Sequence, residues 1–430
     1  MKKTTLAIGI VAILGIAYVG TAWHTGNIIE SNIDNQLAQI TNKVNQIQND
    51  FIFTVEKSNY NKGILSTKVH LKVTASQKQS FDETTTPETL FDDDITIHHG
   101  PFPIAALAEG TFAPQMAWLE YEMSEQISPQ LWKLAGNQPF ITGHVGMSYG
   151  EYITFKLTNK AIKVTQNEFP IIDGTLELGK GDYTISGYAS DSDITTKFKL
   201  NKLSFTTPLS FNSEPTSVVI NQFVINQKVE LNNTTNTANG SFFSHVDSFI
   251  YGQQNLGSVT LDFNFDTQGL NKQLFTKQLG MDYPTFDDDI DKKYNIRFSL
   301  NKFNWQTPTG NINANLMFDI SDIDSEAIDK EDYEKINELK FKLEAPFDVL
   351  ARLSAQMKYP TANDITSQQI TEEKQNIQLM SGFLVHNSPY LTLSNGKTDG
   401  FYSDISLTKD SDEVNVNGEK VSKEDFFDNL

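Results

Sequence analysis

The chain has 430 residues and a mass of 48.3 kDa; with 29 Phe, 14 Tyr and 38% hydrophobic residues it can bury a sizeable core and is no disordered polyanion. Cysteine is absent, which excludes disulfide scaffolds, Cys-ligated zinc, iron–sulfur clusters and thiol catalysis. Asp and Glu outnumber Lys and Arg by 54 to 34, for a net charge of −20, and Arg297 and Arg352 are the only arginines, so the basic footprint of a nucleic-acid binder is missing.

The N-terminus sets the expected location. Met1, Lys2 and Lys3 precede an uncharged apolar run over residues 6–23. That is about 18 residues, enough to cross a bilayer as a helix. A cleaved export signal has an apolar core of roughly 7–15 residues ending at small residues, and Gly20 and Ala22 offer such an end. The length of the run, and Tyr18 and Trp23 near its outer end, favour an uncleaved anchor over residues 1–23. Lys2 and Lys3 hold the N-terminus in the cytoplasm, so the bulk of the chain is expected in the bacterial periplasm, tethered to the inner membrane as a single-pass protein. The remaining chain is acidic and is repelled by anionic headgroups, so the tether is the helix and not a basic patch.

Ile28, Ile29, Ile33, Leu37, Ile40, Val44 and Ile47 recur at three- and four-residue steps. They predict an amphipathic stalk helix over residues 24–50, packed on the body or on a second helix. From Phe51 the period becomes two. Ile153, Phe155 and Leu157 alternate with Thr154 and Lys156, and Val259, Leu261, Phe263 and Phe265 with Thr260, Asp262 and Asn264. Similar alternation around 67–75, 183–188, 216–231, 390–393 and 401–407 predicts strands with one apolar and one polar face. Residues 51–320 therefore read as a long antiparallel meander. Phe198–Phe205 is echoed by residues 298–305, and residues 218–225 share the skeleton. In each the apolar parity slips at an Asn-Lys or Asn-Gln pair, which fits a β-bulge or a two-residue turn equally well.

Helices are expected at 103–110, 129–136, 270–279, 325–339, 346–357 and 365–385. Ile370, Ile377, Met380, Leu384 and Val385 approximate one stripe of the last of these. A terminal helix starts at Ser422, which caps it, with Asp425 in the capping-box position. Residues 321–430 are read as helices plus a C-terminal hairpin that complete the same body.

Few motifs suggest chemistry. Gly146-Met-Ser148-Tyr-Gly150 matches the G-x-S-x-G elbow of serine hydrolases, but that elbow needs a helix after the serine. Here Tyr152, Ile153, Phe155 and Leu157 continue as a strand, so the match reads as a bend between strands. His98 and His99, followed by Gly100-Pro101-Phe102-Pro103, point to opposite faces of a strand and read as a strand-to-helix corner, not a metal site. The acidic runs 287–291 and 322–326 fail the calcium-loop test: counted from Asp322, the Gly and Glu positions are Ala327 and Tyr333. No zinc-protease, phosphate-loop, dinucleotide or kinase signature is present. The sequence assigns no catalytic, metal-binding or cofactor-binding residue and no cofactor.

Ala22-Trp23-His-Thr-Gly26, Tyr60-Asn-Lys-Gly63-Ile-Leu-Ser66, His99-Gly-Pro-Phe-Pro103 and Val416-Asn-Gly-Glu-Lys-Val-Ser-Lys-Glu-Asp-Phe426 together resemble the YdgA family of bacterial envelope proteins, domain of unknown function 945. The resemblance implies a single-pass inner-membrane protein with a large β-rich periplasmic domain. It implies no activity, because the family has none assigned. The architecture resembles, more loosely, the AsmA/TamB-type envelope proteins, whose long curved sheets are thought to handle lipid; that step is fold analogy.

The expected fold is α+β and mainly β: a long curved antiparallel sheet packed by a few helices behind one transmembrane helix. The leading functional expectation is a non-enzymatic envelope protein that binds a partner or supports envelope integrity. The alternative is a carrier of lipids or other hydrophobic ligands in a curved-sheet groove, and a minor one is a serine hydrolase using Ser148. A carrier needs a continuous apolar groove without polar plugs, whereas an interaction module needs a closed core.

Overall fold

The computed structural model describes residues 37–38, 41–42, 45, 51–63, 66–77, 87–99, 102–150, 152–169, 173–188, 193–207, 216–232, 237–268, 294–323, 330–386, 390–409 and 411–428. The expected anchor over 1–23, the helix at 270–279 and the acidic run 287–291 lie outside these residues. No helix among the described residues is long and apolar enough to cross a membrane. The fold is mainly β, antiparallel, with few helices, as the period-two patterning predicts. The described part of the expected stalk is helical at Leu37, Ala38, Thr41, Asn42 and Asn45. There Leu37, Thr41 and Asn45 are half-buried while Ala38 and Asn42 are exposed, the spacing of one helix face. Asn45 ties this segment to the first strand, its amide donating to Phe53 O at 2.9 Å and accepting from Phe53 N at 2.7 Å.

The chain forms two compact units, divided between Ile162 and Lys163, Gly179 and Lys180, and Lys197 and Phe198. The first contains β1 (Phe51–Lys62), β2 (Ser66–Gln77), β3 (Glu88–His99), α1 (Ile104–Ala108), β4 (Gln115–Glu122), α2 (Pro129–Leu134), β5 (Ile141–Ser148) and β6 (Tyr152–Asn159). After β7 (Ile162–Thr165) and β8 (Thr175–Leu178), β9 (Gly181–Tyr188) completes it. Each strand from β1 to β6 pairs antiparallel with the next, and β9 pairs with β6. One face of this sheet is closed. Val69, Val73, Ile95, Ile97, Leu119, Val145, Met147, Ile153 and Phe155 are all buried. They occupy alternate positions, so every second residue leaves water, at about 1.5–3 kcal/mol for each large apolar side chain.

In the second unit β10 (Ile194–Thr206), from Phe198 onward, pairs with β8. Next come β11 (Ser217–Asn232), β12 (Thr237–Tyr251), the two-residue β13 (Gln254–Asn255), β14 (Ser258–Gln268), β15 (Tyr294–Thr307) and β16 (Gly310–Ile323). A 3-10 turn (Lys330–Lys335) precedes β17 (Ile336–Pro346), followed by α3 (Phe347–Lys358), α4 (Ser367–His386), β18 (Thr392–Ser394), β19 (Asp399–Thr408), β20 (Glu413–Val416), β21 (Glu419–Ser422) and α5 (Lys423–Asp428). The antiparallel ladder runs β11-β12-β14-β15-β16-β17-β19-β20-β21.

Two helical expectations need correction. The helix expected over 325–339 is a 3-10 turn followed by strand β17. Ile336, Leu339 and Leu343 fit a helical step, but Leu339, Phe341, Leu343 and Ala345 also alternate. β16 and β19 pair with this segment on either side, and that pairing decides. The second correction concerns α4 and is given below. The parity slips resolve as irregularities inside continuous strands, not hairpin turns. At Asn301 the ladder passes from Leu300↔Phe263 to Lys302↔Asp262, leaving Asn301 as the extra residue of a bulge. In β11 the slip is a left-handed residue, Gln222, with φ +50°.

Candidate functional site

The predicted motifs first. Ser148 ends β5 and the chain turns directly into β6, so the glycine-flanked motif is a strand–turn–strand hairpin. Its Oγ accepts from Tyr152 N–H at 3.1 Å. His144 lies four residues earlier on the same strand, roughly 13 Å away at strand rise, stacked on the Trp118 indole at 4.2 Å. Burial, and then Lys156, push the His144 imidazole down to about 4, so it is neutral at pH 7. Trp118 reaches it because its cross-strand neighbour is Gly146, where a Cβ would stand 2.7 Å from the indole.

His98 and His99 diverge as expected, His98 Nε2 meeting Glu120 at 3.0 Å and His99 Nε2 meeting Thr67 Oγ1 at 2.9 Å. Among the described residues no group of three or more His, Asp or Glu side chains is placed to hold a metal ion. Asp322 lies in β16 with a positive φ of 60°, at the register shift opposite Asn295, and its backbone N–H donates to Asn295 Oδ1 at 2.9 Å, a structural role.

The second unit carries two contrasting surfaces on the same strands. Cross-strand partners share a face. On one face the register aligns Lys228, Ser241, Asn264, Ser299 and Met317 in one row and Glu230, Asn239, Asp266, Arg297 and Asp319 in the next. All of these except Asp319 line an open trough of about 460 Å³. Arg297 Nε stands 3.8 Å from Asp319, and Lys228 pairs with Glu230, so its charges are largely compensated.

The other face is apolar. One row runs Gln227, Phe242, Phe263, Leu300, Leu316, Phe341, Ile405; the next runs Val229, Gly240, Phe265, Phe298, Phe318, Leu339, Leu407. Neither row contains a charge. Phe242 stacks on Phe263 at 4.9 Å and Phe263 meets Phe298 at 5.6 Å, and the Phe265 ring occupies the space a Cβ on Gly240 would fill. Helices close two parts of this face. α3 inserts Val349 and Leu353 against Leu256, Ile312 and Ala345. α5 inserts Phe426 and Phe427 against Ile320, Ile405 and Leu407. Phe242, Phe263, Phe265, Phe298 and Leu300 belong to neither of these clusters and stay half-buried. The sequence showed the alternation of each strand; it did not show which rows the described helices α3 and α5 cover, because that depends on register.

α4 departs from its expected stripe at two positions. Ile370, Ile377 and Val385 are half-buried, but Met380 and Leu384 are exposed, at 68 and 47%, together with Leu379 and Phe383 at 81 and 73%. Glu373 and Ser381 are buried among the three apolar residues that turn inward. Glu373 accepts from Ser354 Oγ at 2.8 Å and Lys358 Nζ at 2.6 Å, and the hydrogen bond from Lys358 holds its carboxyl below the usual range.

A bacterial family of unknown function, DUF945, matches the chain over residues 1–278, and the chain belongs to that family. It is similar to protein YdgA of Escherichia coli K12, 28% identical over 152 residues, which cover 34% of this chain and 30% of that protein. It is also similar to the uncharacterised protein YihF of the same organism, 19% identical across 98% of this chain and 97% of the relative. No solved structure matches.

Proposed function

We propose that this chain is a non-catalytic envelope protein, anchored in the inner membrane by residues 1–23 with its body in the periplasm, that binds an acyl-chain lipid on the apolar face of its second unit. The observation that carries the reading is the pair of uncharged rows across β11 to β16, with Phe242, Phe263, Phe265, Phe298 and Leu300 outside both helix-covered clusters. An uncharged face whose two rows hold one polar side chain, Gln227, suits a ligand that has no hydrogen bonds to offer. Each of these half-buried side chains, four Phe and Leu300, forgoes about 1 kcal/mol of burial, so covering all five returns on the order of 5 kcal/mol before the cost of association. The first unit favours a second reading, a partner-binding module, because its apolar face is closed.

Native mass spectrometry with lipid extraction on the full-length protein purified from membranes tests the choice. A stoichiometric lipid that is lost in Phe263→Asp/Phe298→Asp, but kept in Ser241→Asp on the opposite face, is expected. A lipid-free spectrum for the unaltered chain would leave the partner-binding reading in its place.

A further inference from the structure

We propose that the exposed stripe of α4 is a self-contact, across which two copies of this chain pair about a two-fold axis. A surface helix turns its apolar stripe inward. α4 does so with the half-buried Ile370, Ile377 and Val385 around Glu373 and Ser381, and it carries a second apolar group, Leu379, Met380, Phe383 and Leu384, that faces outward on two adjoining i, i+4 rows. At roughly 150–200 Å² for each fully exposed side chain, these exposures leave about 500 Å² of contiguous apolar surface. Two copies face to face therefore bury on the order of 1,000 Å², the lower bound for a specific contact and the size class of a weak dimer.

Charge selects the occupant. Residues 375–386 contain no Asp, Glu, Lys or Arg, in a chain that is 20% charged. A molecule of net charge −20 repels its own copies everywhere except on such a neutral patch, and a neutral patch is complementary to itself. An anionic membrane is the poorer occupant. Helices that lie in a bilayer surface carry Lys and Arg beside the apolar stripe, whereas α4 carries Glu372 and Glu373 against the single Lys374. Gly382 adds an independent sign. It sits inside a 20-residue helix, and a Cβ there would meet nothing within 4 Å. Glycine in a helix interior is unfavourable relative to alanine, and no neighbour among the described residues requires it; a second helix crossing close to the backbone would.

The absence of cysteine makes the test clean. Asn376→Cys places one thiol on the exposed face one turn before the stripe, and Lys397→Cys places one on an exposed turn elsewhere in the same unit. Full-length variants in membranes from expressing cells are treated with a bismaleimide and resolved on a denaturing gel. The Asn376→Cys chain is expected to form a homodimer band at least tenfold stronger than Lys397→Cys. Leu379→Ser/Phe383→Ser, added to Asn376→Cys, is expected to reduce it to the Lys397→Cys level. Equal yields at the two positions, a band unmoved by the serine pair, or a crosslinked product containing a different protein would each overturn the proposal.

Discussion

His70 stands between two carboxylates, Nδ1 2.8 Å from Asp94 and Nε2 2.8 Å from Asp92, and with both ring nitrogens so engaged only the imidazolium satisfies both contacts. The hydrogen bond to Asp94 raises its pKa above 6.5 against the opposing effect of burial, and Asp92 adds to it. A raised folded-state pKa gives stability that is fully present below about 6.5 and is lost as pH rises through the folded value. The His70 ring should therefore titrate above 6.5 by NMR, and Asp94→Asn should lower its midpoint. Urea unfolding should show the excess stability of the unaltered chain over His70→Asn at pH 6 shrinking by pH 9; an excess that is constant, or grows, refutes the assignment. The family motifs were legible for a related reason, being residues with strict local duties. Gly63 N–H donates to Ser66 O at 2.7 Å in the β1–β2 turn. Pro103 caps α1, and Asn417 and Gly418 take φ of +56° and +92° in the β20–β21 turn. Asp425 fills its expected position, its N–H donating to Ser422 Oγ at 3.1 Å. These residues hold corners, so recognising them gave architecture and no chemistry.

Strands in the second unit are fixed by which side chains must share a face, and the Asn301 bulge is the device that keeps β15 consistent. Ile296, Phe298 and Leu300 precede it on the apolar face, and Phe303 and Trp305 follow it on the same face. Deleting Asn301 turns the bulge into regular alternation and leaves every apolar residue facing inward. Deleting Asn264 from β14, where pairing with β12 is unbroken, instead sends either Phe263 or Phe265 with its neighbours to the polar face. The Asn301 deletion should stay cooperatively folded with a loss of about 1–2 kcal/mol, whereas the Asn264 deletion should fail to give a cooperative urea transition. The reverse order would mean that the bulge sets a geometry the sheet needs. Periodicity read from one strand supplies its two faces but not its neighbours. That is why residues 336–339 read as the end of a helix, and why the exposed side of α4 was invisible: Glu373 is buried only because Ser354 and Lys358 of α3 receive it.

At the scale of the whole chain, the proposed location rests on two features of the sequence, the apolar run over residues 6–23 and the acidic remainder. The chain's net charge of −20, to which residues 1–23 contribute only Lys2 and Lys3, leaves the body no attraction to anionic headgroups. If residues 1–23 are the only tether, exchanging them for a cleavable export signal should release the entire chain into the soluble periplasmic fraction. The release should be the same at low and high salt, because there is no electrostatic attachment for salt to screen. Retention that salt abolishes would reveal a basic contact that the charge balance argues against. Retention indifferent to salt would point to the apolar rows of β11 to β16 or to the α4 stripe as a second membrane site. Phe263→Asp/Phe298→Asp and Leu379→Ser/Phe383→Ser would then tell those two surfaces apart, since they lie on separate elements of the same unit.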